Sequence, residues 1–396
     1  MKVGTFRPGL VVALALGAVF GWVLKPTPPV TLQEAISALS KGSAGVNFNL
    51  LPSVWDAVHS QYVDTNVDDQ ALLDGAISGL VSGLGDPYSA YLPPAEAKQF
   101  SQELEGKVEG IGAEIGVKDG AIVVIAPLPD SPAEKAGVLA GDRILTIDGV
   151  GTTGLTIDAA VSKIRGPAGS KVSLLLVSGE AEPRTITITR ATIHVDSVTL
   201  KTVPGADGAG PILEISIRSF TPDTDRELVR LLTPKLSPVP SGILLDLRDN
   251  PGGFLDTAIA VTGEFLPSGV AVIEEQRDGA REPHSVAGKP LLPIVPMVVL
   301  INHGSASAAE ILAGALQDAG RATILGTKSF GKGTVQTLTE IPGGGDLKLT
   351  VARWLTPKGR SISKEGIAPD RVVEAGTTSD TDPQLDAALE ILRKKP

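Results

Sequence analysis

Four short apolar runs constrain the fold most: ILEISI (212–217), GILLDLRD (242–249), MVVLIN (297–302) and ATILGT (322–327). Between them lie TDRELVRLLTPKL, FLDTAIAVTGEFL and SAAEILAGALQDAG, whose apolar residues recur at helical spacing. Runs this short, with little alternation, suit strands covered on both faces, and the helical stretches supply the cover. Such a chain is predicted to fold as an α/β layered domain.

The rest of the 396 residues divides around that domain. Residues 31–104 read as helical, with LLPSVWDAVHSQYV and DDQALLDGAISGLVSGL in register with a helix. Gly85-Asp86-Pro87 is a turn, and Pro93-Pro94 opens another short helix with Glu96 in its first turn. From about residue 105 the period changes to that of strands: GIGAEIGV, AIVVIAPL, DRILTIDG, KVSLLLVS and RTITITRATI. SPAEKAG interrupts them as a short helix with Ser131 as cap and Pro132 at its first position, and TIDAAVSKIRG as a longer one. We expect helices over 31–104, a small β-rich domain over 105–192, the α/β core over 193–374, and a polar linker with a terminal helix over 375–396.

Charge and composition exclude several functions. Lysine and arginine number 35 against 45 acidic residues, a net charge of −10, which argues against nucleic-acid binding. There is no cysteine, so disulfides, thiolate metal sites and a cysteine nucleophile are absent. Residues 1–30 place Lys2 and Arg7 before an uncharged stretch ending at Leu24 and a proline-rich exit. That pattern is an export signal, either a cleaved signal peptide or a retained membrane anchor. The remainder is expected outside the cytoplasm, in the periplasm or cell envelope, or membrane-anchored facing outward.

Three loops carry chemistry. In GSASAAE (304–310), Ser307 stands where a buried strand gives way to a helix, a place with unpaired N–H groups and the positive end of the helix dipole. It reads either as a nucleophile or as a helix cap, with Glu310 completing a capping box. A serine nucleophile needs a base. The four histidines, His59, His194, His284 and His303, give a Ser-His-Asp triad little support, although its members need not be close in sequence. Lys332, framed by glycines in SFGKGTVQT, can serve if burial keeps it neutral. If residues 332–336 are extended, Lys332, Thr334 and Gln336 share one face, and the Gln336 amide can aim the amine without adding charge. The alternative is a phosphate-binding lysine, but no Walker pattern is present. In LLDLRDNPGGFLDTA (244–258) a strand ends in Gly252-Gly253, so the N–H of Gly253 and that of Ala308 can face one crevice as oxyanion donors. Asp246, Arg248 and Asp249 are expected to pair with one another.

The ordered set LDLRDNPGG, GSASAAE and SFGKGTVQ resembles the carboxy-terminal processing (tail-specific) serine peptidases, and GDPYSAYL and IRGPAGSKV extend the likeness over nearly all of the chain past residue 50. Ala309 departs mildly, standing where many relatives carry another serine. The resemblance implies Ser307 as nucleophile, Lys332 as base, Gln336 as the residue that orients it, and the backbone of Gly253 and Ala308 as oxyanion donors. It implies a crotonase-like α/β peptidase core with an inserted, circularly permuted PDZ-like domain. EGIGAEIG then matches its carboxylate-binding loop, with Gly110, Ile111, Gly112 and Ala113 forming an anion nest beside a strand that an extended peptide can join. Arg165 matches a position that couples this domain to the active site. The expected partners are proteins or peptides with accessible C-terminal tails, with self-association through the N-terminal helices and membrane attachment as further expectations. No cofactor and no metal are implied. The rival readings are a PDZ scaffold with an inactive hydrolase domain and an α/β esterase, which would want a G-x-S-x-G elbow and a downstream histidine.

Overall fold

A computed structural model describes residues 46–394, apart from 119, 180, 207, 287–289, 293 and 377–380. The export segment read in residues 1–30 lies outside the described residues. The chain divides into a unit ending at Leu73 and a second from Asp74 onward. Helix α1 (Leu50–Gln61) buries none of its residues, and α2 (Asp69–Ser82) buries only Val81. Leu50, Leu51, Val54, Leu73 and Leu80 are all exposed. After the turn at Gly85 come strand β1 (Ala90–Leu92) and helix α3 (Pro94–Leu104), which Pro94 opens as expected.

Residues 107–194 form the β-rich domain. Its strands are β2 (Lys107–Gly110), β3 (Ala113–Lys118), β4 (Ala121–Pro127), β5 (Arg143–Ile147), β6 (Val150–Gly151), β7 (Lys171–Val177), β8 (Arg184–Thr189) and β9 (Ala191–His194). One antiparallel sheet runs β3-β4-β5-β7-β8, with β6 on β5. Helix α4 (Pro132–Lys135) is capped by Ser131, whose Oγ accepts from Glu134 N–H at 3.1 Å. Helix α5 (Ile157–Ile164) is capped the same way by Thr156. Val124, Ile144, Val172, Leu174, Leu176 and Ile188 form the core beneath them. The run RTITITRATI is two strands and not one. Arg190 breaks it: the side chain is buried and donates to the carbonyls of Ile164 (2.7 Å), Lys171 (2.8 Å) and Lys163 (3.1 Å). Strand β9 then leaves the sheet to pair with β2.

The α/β core contains β10 (Val198–Val203), β11 (Ile212–Ile217), α6 (Thr224–Leu232), β12 (Gly242–Asp246), α7 (Leu255–Gly263), β13 (Val270–Gln276), β14 (Arg281–Ser285), β15 (Met297–Ile301), α8 (Ala308–Asp318), β16 (Thr323–Gly326), β17 (Thr334–Glu340), β18 (Asp346–Leu355), β19 (Arg371–Val372) and α9 (Pro383–Arg393). Its main sheet runs β10-β11-β12-β15-β16-β19, parallel except for β10 at one edge. Strand residues alternate between two cores. Ile215, Ile243, Leu245, Val299 and Ile324 pack with α6, α7 and α8; Ile212, Leu244, Val298, Leu300 and Leu325 pack with α9. That two-sided cover is why these runs read as uninterrupted apolar stretches.

A second, antiparallel sheet runs β1-β18-β13-β14, with β17 also on β18. Strand β10, the hairpin β13–β14 and β17 were not placed by the sequence pattern; β17 and β14 expose much of their length to solvent, which dilutes the apolar signal. Of VVEAG (372–376), only the first valine lies in a strand: β19 is Arg371–Val372. Arg190→Met should lower stability by about 3 kcal/mol, because three buried carbonyls lose their donor. Urea unfolding of the purified protein checks this, and a loss under about 1 kcal/mol would show that those carbonyls find other donors.

Candidate active site

Strands β12 and β15 are parallel neighbours, so the loops at their C-terminal ends lie side by side. Ser307, at the start of α8, has φ 54° and ψ −115°. A serine rarely adopts this backbone, at a cost of order 1–3 kcal/mol. Ser305 locks the turn, donating to Leu247 O at 2.8 Å and accepting from Asn302 N–H at 3.0 Å. Asn250 links the two loops: its side chain donates to Ile217 O (2.7 Å) and accepts from Gly252 N–H (2.8 Å), while its carbonyl accepts from Ala306 N–H.

Gly252 has φ 103°, and a Cβ there would stand 2.8 Å from Ser307 Cβ and 3.0 Å from Ala308 N. Gly252 therefore lies directly against the serine, while a Cβ on Gly253 would stand 2.2 Å from Phe220 O. No described residue accepts a hydrogen bond from the N–H of Gly253 or of Ala308. Two unspent donors beside a serine can stabilise an oxyanion.

Glu310 is the residue that the sequence reading undervalued. Its carboxyl is fully buried and accepts four hydrogen bonds: from Ser307 N–H (2.8 Å), Ser329 O–H (2.6 Å), Gly331 N–H (2.7 Å) and Lys332 N–H (3.0 Å). It is thus both the cap partner expected for Ser307 and the tie between the serine and the lysine loop. A signal existed: it is the one charged residue in the apolar stretch AAEILAGAL.

Lys332 is held at both backbone ends, by Glu310 and by Trp354, whose buried indole N–H donates to Lys332 O at 2.8 Å. Burial depresses its amine below the usual lysine range. The Lys348 charge pushes the same way, against a smaller opposing pull from Glu310 and Asp86. The amine lies 5.4 Å from the centre of the Tyr88 ring, and among the described residues it makes no ion pair. No hydrogen bond joins it to Ser307 or to Gln336 here, so proton transfer requires the amine to close on the hydroxyl.

Gln336 lies where an extra residue in β18, Val351, shifts the β17–β18 register, and it donates to Thr334 Oγ1 (2.9 Å) and Thr350 Oγ1 (3.2 Å). Thr334 and Gln336 share a face as expected, whereas Lys332 precedes the strand. Arg248 pairs with Asp246, as expected, and with Asp382 at the start of α9. Asp249 does not join them; it accepts from Asn302 at 2.9 Å. His303 packs a tilted ring on Phe330, and His194 and His284 face Glu227 and Glu274. His59 contacts Asp69.

In the β-rich domain, Gly110 ends β2, and Gly112 turns the chain with φ 72°. The carbonyls of Ile111 and Gly112 accept from Ala133 and Leu128 N–H, while no described residue accepts from the N–H of either. Ala113 begins β3. These residues border a cleft of about 250 Å³ lined by Ile115, Leu128, Val161 and Ile164, with Arg165 at its edge. Arg165 donates to Glu103 of α3 at 3.0 Å and makes no hydrogen bond to Ser307, Lys332 or Gln336.

Family models match three segments: residues 30–95 as the N-terminal domain of the activating protease CtpB, 123–178 as a PDZ domain, and 211–373 as peptidase family S41. The carboxy-terminal processing protease CtpA of Bacillus subtilis is 38% identical over 342 residues, covering 86% of this chain and 72% of that protein. The carboxy-terminal-processing protease of Bartonella bacilliformis is 42% identical over 329 residues, covering 81% and 74%. Among solved structures, the photosystem II D1 C-terminal processing protease superposes with a TM-score of 0.54 at 29% identity, covering 88% of this chain and 98% of that one.

Glu310→Gln replaces two acceptor oxygens by one and sets an amide N–H against N–H donors. It should lower stability by about 2–3 kcal/mol and cut turnover at least about tenfold, because both loops lose their tie. Thermal unfolding and turnover on one preparation check this; unchanged turnover would show that the loops hold their positions unaided.

Proposed function

The chain belongs to peptidase family S41, as a carboxy-terminal processing serine protease whose PDZ domain binds substrate, and from that premise we propose that Ser307 and Lys332 are its catalytic dyad. Neutral Lys332 takes the Ser307 proton as Ser307 Oγ attacks the peptide carbonyl. The N–H groups of Gly253 and Ala308 receive the oxyanion, and Gln336 orients the amine. Lys332 then gives its proton to the leaving amine, and water releases the acyl group. One observation carries this reading: the Lys332 amine is half-buried and forms no ion pair among the described residues, while the Lys332 backbone N–H is tied through Glu310 to a serine on a strained turn. Both groups are present, which counts against an inactive scaffold, and no G-x-S-x-G elbow favours an esterase.

Recognition of the substrate tail is assigned to Gly110–Ala113. The unspent N–H groups of Ile111 and Gly112 suit a terminal carboxylate. The aliphatic cleft beside them favours an apolar last residue, and β3 offers its edge to the preceding ones. Arg165 touches this cleft and α3 together, which supports a coupling role. The exposed apolar residues of α1 and α2 support self-association through these helices. Residues 1–30 support export, with the enzyme in the periplasm or cell envelope or held at the membrane.

Incubation with casein tests the dyad: Ser307→Ala and Lys332→Ala should each reduce cleavage by about 10³-fold or more. Retained cleavage by either would remove that residue from the chemistry. The base is active when deprotonated, so kcat/KM should rise with pH through the folded-state pKa of Lys332. Burial lowers that pKa, so the rise should be centred below the ordinary lysine value of about 10.4. A midpoint at or above that value contradicts a desolvated base.

A further inference from the structure

The peptide unit between Gly252 and Gly253 carries one of the two N–H groups assigned to the oxyanion. Glycine on both sides makes this unit easy to rotate, and a half-turn would set a carbonyl where the donor is needed. Its carbonyl, that of Gly252, accepts from Phe220 N–H at 2.8 Å, and Phe254 N–H donates to Phe220 O at 2.8 Å. Phe220 and Gly253 thus pair as a parallel bridge. The unit is trans, and in a planar trans peptide the C=O and the N–H point in opposite directions. With the carbonyl committed to Phe220, the Gly253 N–H faces away from Phe220, while Gly252 packs on Ser307. The other donor is aimed differently. The Ser307 carbonyl accepts from Ile311 N–H at 3.0 Å, so the first turn of α8 sets the direction of the Ala308 N–H.

The Gly253 donor therefore depends on Phe220, and the Phe220 segment is held by Thr224. Thr224 is the fully buried first residue of α6, and its hydroxyl bonds to the residues on both sides of Phe220. Its Oγ1 accepts from Thr221 N–H at 2.8 Å. Its hydrogen has two acceptors in reach, Ser219 O at 3.1 Å and Ser197 Oγ at 2.8 Å. Ser197 gives its own hydrogen to the Glu227 carboxylate at 2.8 Å. The Ser219 carbonyl and the Phe220 N–H share one planar peptide, so a donor on that carbonyl fixes the direction of that N–H. Hydroxyl, Ser219 carbonyl, Phe220 N–H, Gly252 carbonyl and Gly253 N–H then form a row of aligned dipoles, each polarising the next.

We infer that Thr224 is a positioning residue for the peptidase reaction: its hydroxyl holds Ser219 and Thr221 on either side of Phe220, so that the Phe220 N–H keeps the Gly252–Gly253 peptide turned with its own N–H free for the oxyanion. The inference rests on the reading of Gly253 as an oxyanion donor. The side chain never meets substrate; it acts through two backbone units.

A peptide boronic acid tests both levels, because its tetrahedral adduct with Ser307 places an oxygen where the oxyanion forms. In a crystal structure of the wild-type adduct, that oxygen should lie about 3 Å from Gly253 N. Thr224→Val, which keeps the shape and removes the hydroxyl, should lower kcat about 10- to 100-fold and weaken boronate binding by a similar factor. KM for a fluorogenic peptide with an apolar C-terminus should change little. Thr224→Ser should restore turnover and boronate binding. Ser197→Ala leaves both Thr224 bonds to the Phe220 segment in place and should turn over near the wild-type rate. Thermal unfolding is the folding control, and Thr224→Ala stands in if the valine variant does not fold. The inference is overturned if folded Thr224→Val matches the wild type, or if either Thr224→Ser or Ser197→Ala is as slow as Thr224→Val. It is also overturned if KM rises while kcat and boronate binding hold. If the adduct oxygen makes no contact with Gly253 N–H, the oxyanion reading falls as well; if the contact is there and Thr224→Val is normal, only the positioning role falls.

Discussion

One buried carboxylate organises the face that carries Ser307 and Lys332. Glu310 accepts from both the helix start that carries Ser307 and the loop that carries Lys332. The two loops also meet through Phe330 N–H, which donates to Ser305 O at 3.0 Å. Placing a full charge at Glu310 is tolerable only because every lone pair in reach has a donor. The arrangement also spares the Lys332 amine. The carboxylate is spent on backbone N–H groups and a hydroxyl, and so it forms no ion pair with the amine that would keep it protonated.

The surroundings of Lys332 come from several distant parts of the chain. The parallel sheet delivers the serine and the glycine pair at the ends of β15 and β12, where parallel strands leave a crevice. The antiparallel sheet delivers Lys332, Gln336 and Trp354. The turn before β1 delivers Asp86 and Tyr88. The PDZ domain is built on a separate sheet, and its Arg165, at the end of α5, reaches α3. Helix α3 directly follows β1, which pairs with β18, so the β-rich domain and the surroundings of Lys332 share a continuous stretch of structure.

Much of this was legible in the sequence. The uninterrupted runs at 243–246 and 297–301 announced strands covered on both sides, and the loops at their ends carried the serine and the glycines. The cap Ser131 and the opening Pro94 are local signals, and they hold locally. What escaped was non-local. Arg190 looked like one more polar residue in an alternating strand, and only three carbonyls from elsewhere turn it into a break. Strand β17 is largely solvated and shows no stripe. Ser89 reads as a turn residue, and the bond it accepts from Thr350 N–H, 261 positions away, leaves no local trace. Glu310 satisfied a capping pattern, and that sufficient local explanation concealed the wider one.

The backbone of Ser307 also limits what chemistry this scaffold can ever host. At φ 54° a side chain branched at its first carbon collides with its own carbonyls, and Gly252 leaves no room to relieve the crowding. A threonine nucleophile is therefore shut out by conformation and not by reactivity. Cysteine, unbranched and only slightly larger, is the substitution through which this site could drift toward thiol chemistry.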